Sequence, residues 1–298
     1  MDKENSNKVF WTLFQPVFVL GCTFLAASGA IYGWMDFGTL VSILIFFPIP
    51  FYLIMERFLH KRKDWLLNLR DLAEDAFWVT ATYLIWAPIY DKHYETPISE
   101  LFQSLSKQSG LQLNLESNTM LGLIGFALIA TFAKEFIGYW LHRMQHRFMF
   151  FWRIHATHHH ITKMSVARAD RTHPLEFLGL NLGSAIVLGF FGASGEVVGV
   201  YLVLALGIAY SCHANLPMKS GYFGYFFNTP EWHQVHHSCN YAESNTNYGC
   251  TMIIWDRIFG TFCGKTSIEK IGNGTGTKLS LLTQLTIPFR SNKALRKL

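Results

Sequence analysis

An all-α fold is predicted: an integral membrane helical bundle with a histidine-rich cap on its cytosolic side. Three observations predict it. Half of the 298 residues are apolar, 16% are aromatic and 15% are charged, against about 25% charged in an ordinary soluble domain. The apolar residues gather in runs close to the ~20 residues a helix needs to cross a bilayer. Nine of the 13 histidines stand in three knots, HRMQH (142–146), HATHHH (155–160) and HQVHH (233–237).

The spans follow in order. Residues 10–34 read as a first membrane helix rather than a signal peptide, because the apolar run lacks a clean A-x-A-like cleavage site. Residues 38–55 cross if Pro48 and Pro50 only kink the helix. The stretch 72–90 is weaker, with Glu74 and Asp75 at its start. Residues 120–141 form a strong span apart from Lys134 and Glu135. The run 178–212 is too long for one span, and GASGE (192–196) splits it into a two-helix hairpin. Whether that hairpin crosses fully is left open.

Orientation follows from the Lys/Arg bias of the connecting segments. Residues 56–71 hold five basic residues, and 91–118 hold two basic against four acidic. Residues 142–175 hold six basic against one acidic, and the tail after 212 holds nine basic. A cytosolic N-terminus, with 56–71, 142–177 and 213–298 on the same side, satisfies every count and puts all three knots there. The membrane is the cytoplasmic one in a bacterial host and the endoplasmic reticulum in a eukaryotic one. The net charge of +5 suits an anionic membrane surface, and no Lys/Arg cluster interleaved with aromatics signals nucleic acid. The five cysteines make no CxxC and read as free thiols. The GNGTGT stretch (272–277) lacks GxGxxG spacing and reads as a turn.

Neutral imidazole is the commonest protein metal ligand, and helix residues at i, i+3 and i+4 share a face. His142 and His146 have one such spacing. His155, His158 and His159 have both, as do His233, His236 and His237. Each knot is therefore expected to aim its ring nitrogens at one point. Eight such donors exceed what one ion uses and point to two metals. His60 and His93 read as polar surface, and His160, off the shared face, as a bystander. The HExxH of zinc hydrolases and the Glu-x-x-His of carboxylate di-iron bundles are both absent. Imidazole-rich sites accept iron, zinc, copper or nickel; oxygen activation by two irons fits a membrane setting, where unactivated lipid C–H bonds need it.

EFIGYWLHRMQH, FWRIHATHHH, RTHPLE, HANL, EWHQVHH, NTNYG and WDRIFGT together resemble the fatty acid hydroxylase superfamily, the membrane group that includes sterol desaturases and sterol methyl oxidases. The resemblance runs from about Glu135 to Thr261; residues 1–118 share only hydrophobic spans. It implies a domain of N-terminal transmembrane helices at 1–118, a di-metal catalytic domain at 119–265 and a basic tail at 266–298. It implies two iron ions held by His142, His146, His155, His158, His159, His233, His236 and His237. His213, in CHANL, matches an isolated family histidine after the hairpin. His173 sits at a family position but precedes Pro174, and is a ligand or a partner to one. Glu135 stands where an Asp is expected seven residues before the first knot, and His160 replaces a Ser. Pro217, four residues after His213, sets the chain nearer the sterol-acting branch than the sphingolipid hydroxylases. Partners for the outer imidazole nitrogens are sought in Glu135, Asp170, Glu176, Asn247 and Asp256.

The activity implied is O₂-dependent hydroxylation or desaturation of a sterol or long-chain acyl lipid taken from the bilayer. No haem, CxxC or nucleotide motif is present, so electrons are expected from a separate reductase or small redox carrier docking on the basic cytosolic face. Zinc can occupy such a site in purified protein. The alternatives are a di-zinc membrane hydrolase and a non-enzymatic metal-binding membrane protein. A transporter would line its path with ionisable residues, and only Lys134 and Glu135 are so placed.

Overall fold

The computed structural model describes residues 3–273 and 277–295, so the middle of the Gly272–Thr277 run lies outside the described residues. Among the described residues the only β-pairing is one isolated bridge, Ser238 to Ile271. Among the described residues, four helical stretches are long and apolar enough to cross a membrane: Asn7–Tyr32, Phe37–Leu59, Met120–Arg147 and Gly195–His213.

Helix α1 is Lys3–Tyr32. Asp36 caps α2 (Phe37–Phe46), its carboxylate accepting from Thr39 N at 2.8 Å. Pro48 then opens α3 (Pro48–Leu59) at a first-turn position, where a missing N–H costs nothing. The prolines therefore kink the second span without ending it.

The expected span at 72–90 is not among the four. It lies in a helical run made of α4 (Leu69–Ala81), α5 (Ala87–Tyr90) and α6 (Thr96–Ser109), joined through wide π turns at Thr82–Trp86 and Asp91–Glu95. The reason is charge. Asp71, Glu74 and Asp75 of α4 enter an ion-pair network with Lys163, Arg168, Arg171 and Lys278. Asp75, Arg168 and Arg171 are almost fully buried. The start of α4 thus belongs to the layer that carries the histidines.

Helix α7 (Met120–Arg147) begins at the Thr119 cap. Its 28 residues make about 42 Å at 1.5 Å per residue, beyond a ~30 Å hydrocarbon core. The span expected to stop at 141 continues unbroken, and the first histidine knot is its final turns. Helix α8 (Met149–His159) follows a one-residue break at Phe148. The expected hairpin is α9 (Phe177–Leu180) and α10 (Leu182–Phe190), then α11 (Gly195–His213). Its turn holds Gly192 at φ +58° and pairs with the 110–119 loop through Leu115 N to Phe191 O (3.1 Å) and Ser194 N to Leu115 O (2.9 Å). Only the returning arm is long enough to count as a span; the outgoing apolar helical stretch is Pro174–Phe190.

Helix α11 is the axis of the bundle: 67% of its apolar window is buried, against 28% for each of the other three spans. Ala26, Ala27, Leu40, Leu44, Leu123, Ala127 and Ala130 pack with its Val197, Val200 and Val203; small residues let such helices approach closely. Large apolar side chains such as Val17, Ile54 and Leu121 face outward, as a lipid-facing surface requires. Behind α8, the C-terminal segment forms a strap, with Thr157 Oγ1 donating to Gln284 O at 3.0 Å and Ala156 packed on Leu279 and Ile287.

Candidate metal centre

The histidines converge from four places. Helix α7 brings His142 and His146 at its end, and α8 brings His155, His158 and His159. The last residue of α11 is His213. Helix α12 (Pro230–His236), opened by Pro230, supplies His233 and His236, with His237 at its C-cap. All nine imidazoles are buried.

They sort into two groups. In the first, one ligand atom each from His142, His146, His155, His159 and His236 lies within 4.8 Å of the others; in the second, the same holds for His158, His213, His233 and His237. The expectation that each knot aims at a single point therefore fails for two of the three. In α8 the i, i+4 pair His155/His159 serves the first group while His158 serves the second. In the third knot the pair His233/His237 serves the second group while His236 serves the first. Successive helical residues diverge by about 100°, so neighbours such as His158 and His159 face different groups.

The rings fit a metal better than they fit one another. His142 donates from Nδ1 to Tyr248 O (2.6 Å), and His155 donates from Nδ1 to Glu176 Oε1. Both Nε2 atoms then carry bare lone pairs, yet they face each other at 2.9 Å. Two lone pairs at that distance repel unless a cation lies between them. His236 donates from Nδ1 to Thr246 O (2.9 Å), and its buried Nε2 has no partner. In the second group His213 donates from Nδ1 to Ala209 O (2.8 Å), and its Nε2 is 2.9 Å from that of His233 and 3.4 Å from that of His158. Nitrogens about 2.0–2.1 Å from one ion sit about 2.9–3.4 Å apart, which is the spacing seen. Burial foremost, then the neighbouring imidazoles, pushes His155, His159, His233, His236 and His237 well below the usual histidine range, so the rings are neutral donors.

The candidate partners divide. Glu176, buried, touches His155 directly and is approached by Gln145 Nε2 at 3.5 Å. Asp256 accepts from Tyr248 N (2.8 Å), Gly249 N (2.7 Å) and Thr261 Oγ1 (2.7 Å), fixing the turn whose carbonyl holds His142. Glu135, paired with Lys134 at 3.5 Å, accepts from Cys250 N, Thr251 N and Thr251 Oγ1 and secures the next two residues of that turn. Asn247, at φ +55°, ties Trp232 O and Cys263 O and accepts from Cys263 N (2.8 Å). Asp170 contacts Tyr83 at 3.4 Å, and burial raises its carboxyl to about 7. His173 lies outside both groups: its Nδ1 accepts from Leu175 N and its Nε2 donates to Leu285 O, both at 3.1 Å. His160 and the exposed His93 also stand outside.

Glu176→Gln keeps an acceptor for His155 but removes its charge. Such partners cost about 10–100-fold in metal affinity when changed. The expected result is a drop of that size for one ion only, read by competitive chelator titration.

Sequence reasoning missed Glu56 and Gln15, both buried. An acidic residue at the end of FYLIM, inside an apolar helix, is itself a signal, because such residues are costly in a membrane.

Residues 127–261 match the family model described as fatty acid hydroxylase. The ornithine lipid hydroxylase of Rhizobium tropici is 34% identical over 157 residues, covering 52% of this chain and 47% of that protein. The alkylglycerol monooxygenase of Caenorhabditis elegans is 29% identical over 164 residues, covering 55% and 32%. Methylsterol monooxygenase 2-2 of Arabidopsis thaliana is 26% identical over 132 residues, covering 43% and 48%. The chain thus spans about a third to a half of the length of these relatives. No solved structure matches.

Proposed function

We propose that this chain, whose residues 127–261 form a fatty acid hydroxylase domain, is a membrane-embedded di-iron oxygenase that acts on a C–H bond of a bilayer lipid. The observation that carries the reading is the pair of all-imidazole groups on shared helices at one end of a bundle with four candidate spans. The relatives' names cover ornithine lipids, alkylglycerols and methylsterols and share oxygen insertion into a lipid. Hydroxylation is accordingly favoured over desaturation, and a membrane lipid is the substrate class.

His142, His146, His155, His159 and His236 would hold one ion, and His158, His213, His233 and His237 the other. When bound, the pair supplies the one-electron and O₂ chemistry that side chains lack. The chain's own part is orientation and exclusion of water. Carbonyls at Ala209, Thr246 and Tyr248 hold protons on the outer nitrogens, so the inner ones stay bare. Burial keeps the imidazoles neutral and shields the centre from solvent. The outward-facing apolar walls admit the substrate sideways from the bilayer. Electrons come from a separate reductase or small redox carrier at the basic face, which the Lys/Arg bias sets on the cytosolic side.

Membranes with and without the chain, supplied with a reductase, are compared by lipid mass spectrometry under air and under nitrogen. The expected result is a lipid heavier by ~16 mass units only in air; loss of ~2 would mark desaturation. No oxygen-dependent change across sterols, ether lipids and amino-acid lipids would turn the reading toward hydrolysis or metal storage.

A further inference from the structure

The two histidine groups are anchored by different parts of the chain. The first is backed from inside the matched segment, by Glu176, Thr246, Tyr248 and, through the turn, Asp256 and Glu135. The second is tied to the N-terminal helices, which supply no ligand. Gln15 of α1, fully buried, donates to Ser211 Oγ (2.8 Å), two residues before His213, and to Asn228 O (3.0 Å), just ahead of α12. Glu56 of α3 accepts from Asn215 N (3.0 Å), two residues after His213, and from Val166 N (2.9 Å) and Ser165 Oγ (2.7 Å). Asn215 in turn pairs with both backbone polar groups of Arg62, at 2.8 and 3.0 Å. Lys61 Nζ reaches Gln234 Oε1, beside His233, at 3.1 Å.

We propose that Glu56 and Gln15 are positioning residues for the second metal ion, so that the N-terminal helices set its retention and leave the first ion to the matched segment. This rests on the di-metal reading above. The physical reason is that a buried polar group left without its partner costs about 1–3 kcal/mol, and here the groups at risk sit within two residues of His213 on either side. Metal geometry tolerates errors of only about 0.2 Å. Glu56 Oε1 takes both backbone N–H groups, so its charge is dispensable: Glu56→Gln keeps that oxygen, and the Ser165 hydroxyl can turn to accept from the new amide.

The test is metal content. Full-length protein is loaded anaerobically with Fe(II), gel-filtered and analysed for iron by mass spectrometry, with circular dichroism and gel-filtration profile recorded alongside. Wild type and Glu56→Gln are expected to hold about two ions per chain, and Glu56→Ala and Gln15→Leu about one. His233→Ala added to Glu56→Ala should then remove no further iron, whereas His146→Ala should remove what remains. Should Glu56→Ala not fold, Gln15→Leu decides. Retention of both ions by the folded variants, or parallel loss of both, overturns the proposal. So does failure of both variants to fold, since the links would then serve the whole bundle. A wild type that binds no iron pair would instead sink the di-metal reading, which keeps the two failures distinguishable.

Discussion

His158→Ala and His159→Ala, adjacent in the chain, are each expected to remove one metal ion, and not the same one. His159 shares its group with His142, His146, His155 and His236, and His158 with His213, His233 and His237. Loss of a ligand should exceed the ~10–100-fold effect of losing a ligand's partner. Lipid oxidation in either variant should therefore fall by at least about 100-fold. Iron analysis should give about one ion per chain in each and none in the double variant. Equal loss of both ions from either single variant would mean that the groups do not bind independently. Full retention by His158→Ala would remove the second group from consideration.

The second large effect is on stability. Asp75→Ala leaves Arg168 and Arg171 with buried guanidinium groups that have lost a shared counter-ion; Asp75 lies 3.2 Å from Arg168 Nε and also pairs with Arg171. Removing one partner of a buried pair costs about 3–5 kcal/mol, because the uncompensated charge stays behind. Thermal unfolding in detergent should show a large fall in midpoint. Arg62–Asp64, in which the arginine is half-buried and the carboxylate exposed, serves as the control: Asp64→Ala should change stability by less than about 1 kcal/mol. A small effect of Asp75→Ala would mean that Asp71 and Glu74, which face the same arginines, suffice alone.

The histidine knots and the apolar runs are written locally in the sequence, as helical spacing and hydropathy. What could not be read there depends on packing between helices. The i+3 histidines His158 and His236 change group because a partner helix stands on their side of the axis, and spacing within one helix holds no record of that neighbour. The stretch 72–90 is incomplete in the same way: Glu74 and Asp75 look like a flaw in a membrane span until Arg168 and Arg171, about 95 positions on, meet them. Glu176 was legible as a candidate because it lies near the second knot. Gln15 was not, since its partners are more than 100 residues away; Glu56 was marked by its charge inside an apolar helix, but its partners, also more than 100 residues away, were not.

The outer nitrogens of His142, His213 and His236 rest on main-chain carbonyls, and that of His155 rests on a carboxylate. A carbonyl is the same group whatever side chain its residue carries, so point mutation at Ala209, Thr246 or Tyr248 leaves that acceptor in place. Among these four supports, only the one at position 176 can be rewritten by a single codon change. Evolutionary or engineered tuning at these four imidazoles is thus channelled through position 176, while in the second group the Asn228 side chain, 3.2 Å from His233 Nδ1, offers another. On the proposed di-iron reading, a series at 176 running from Glu through Gln to Leu would act as a dial on the redox potential of the ion that His155 would hold.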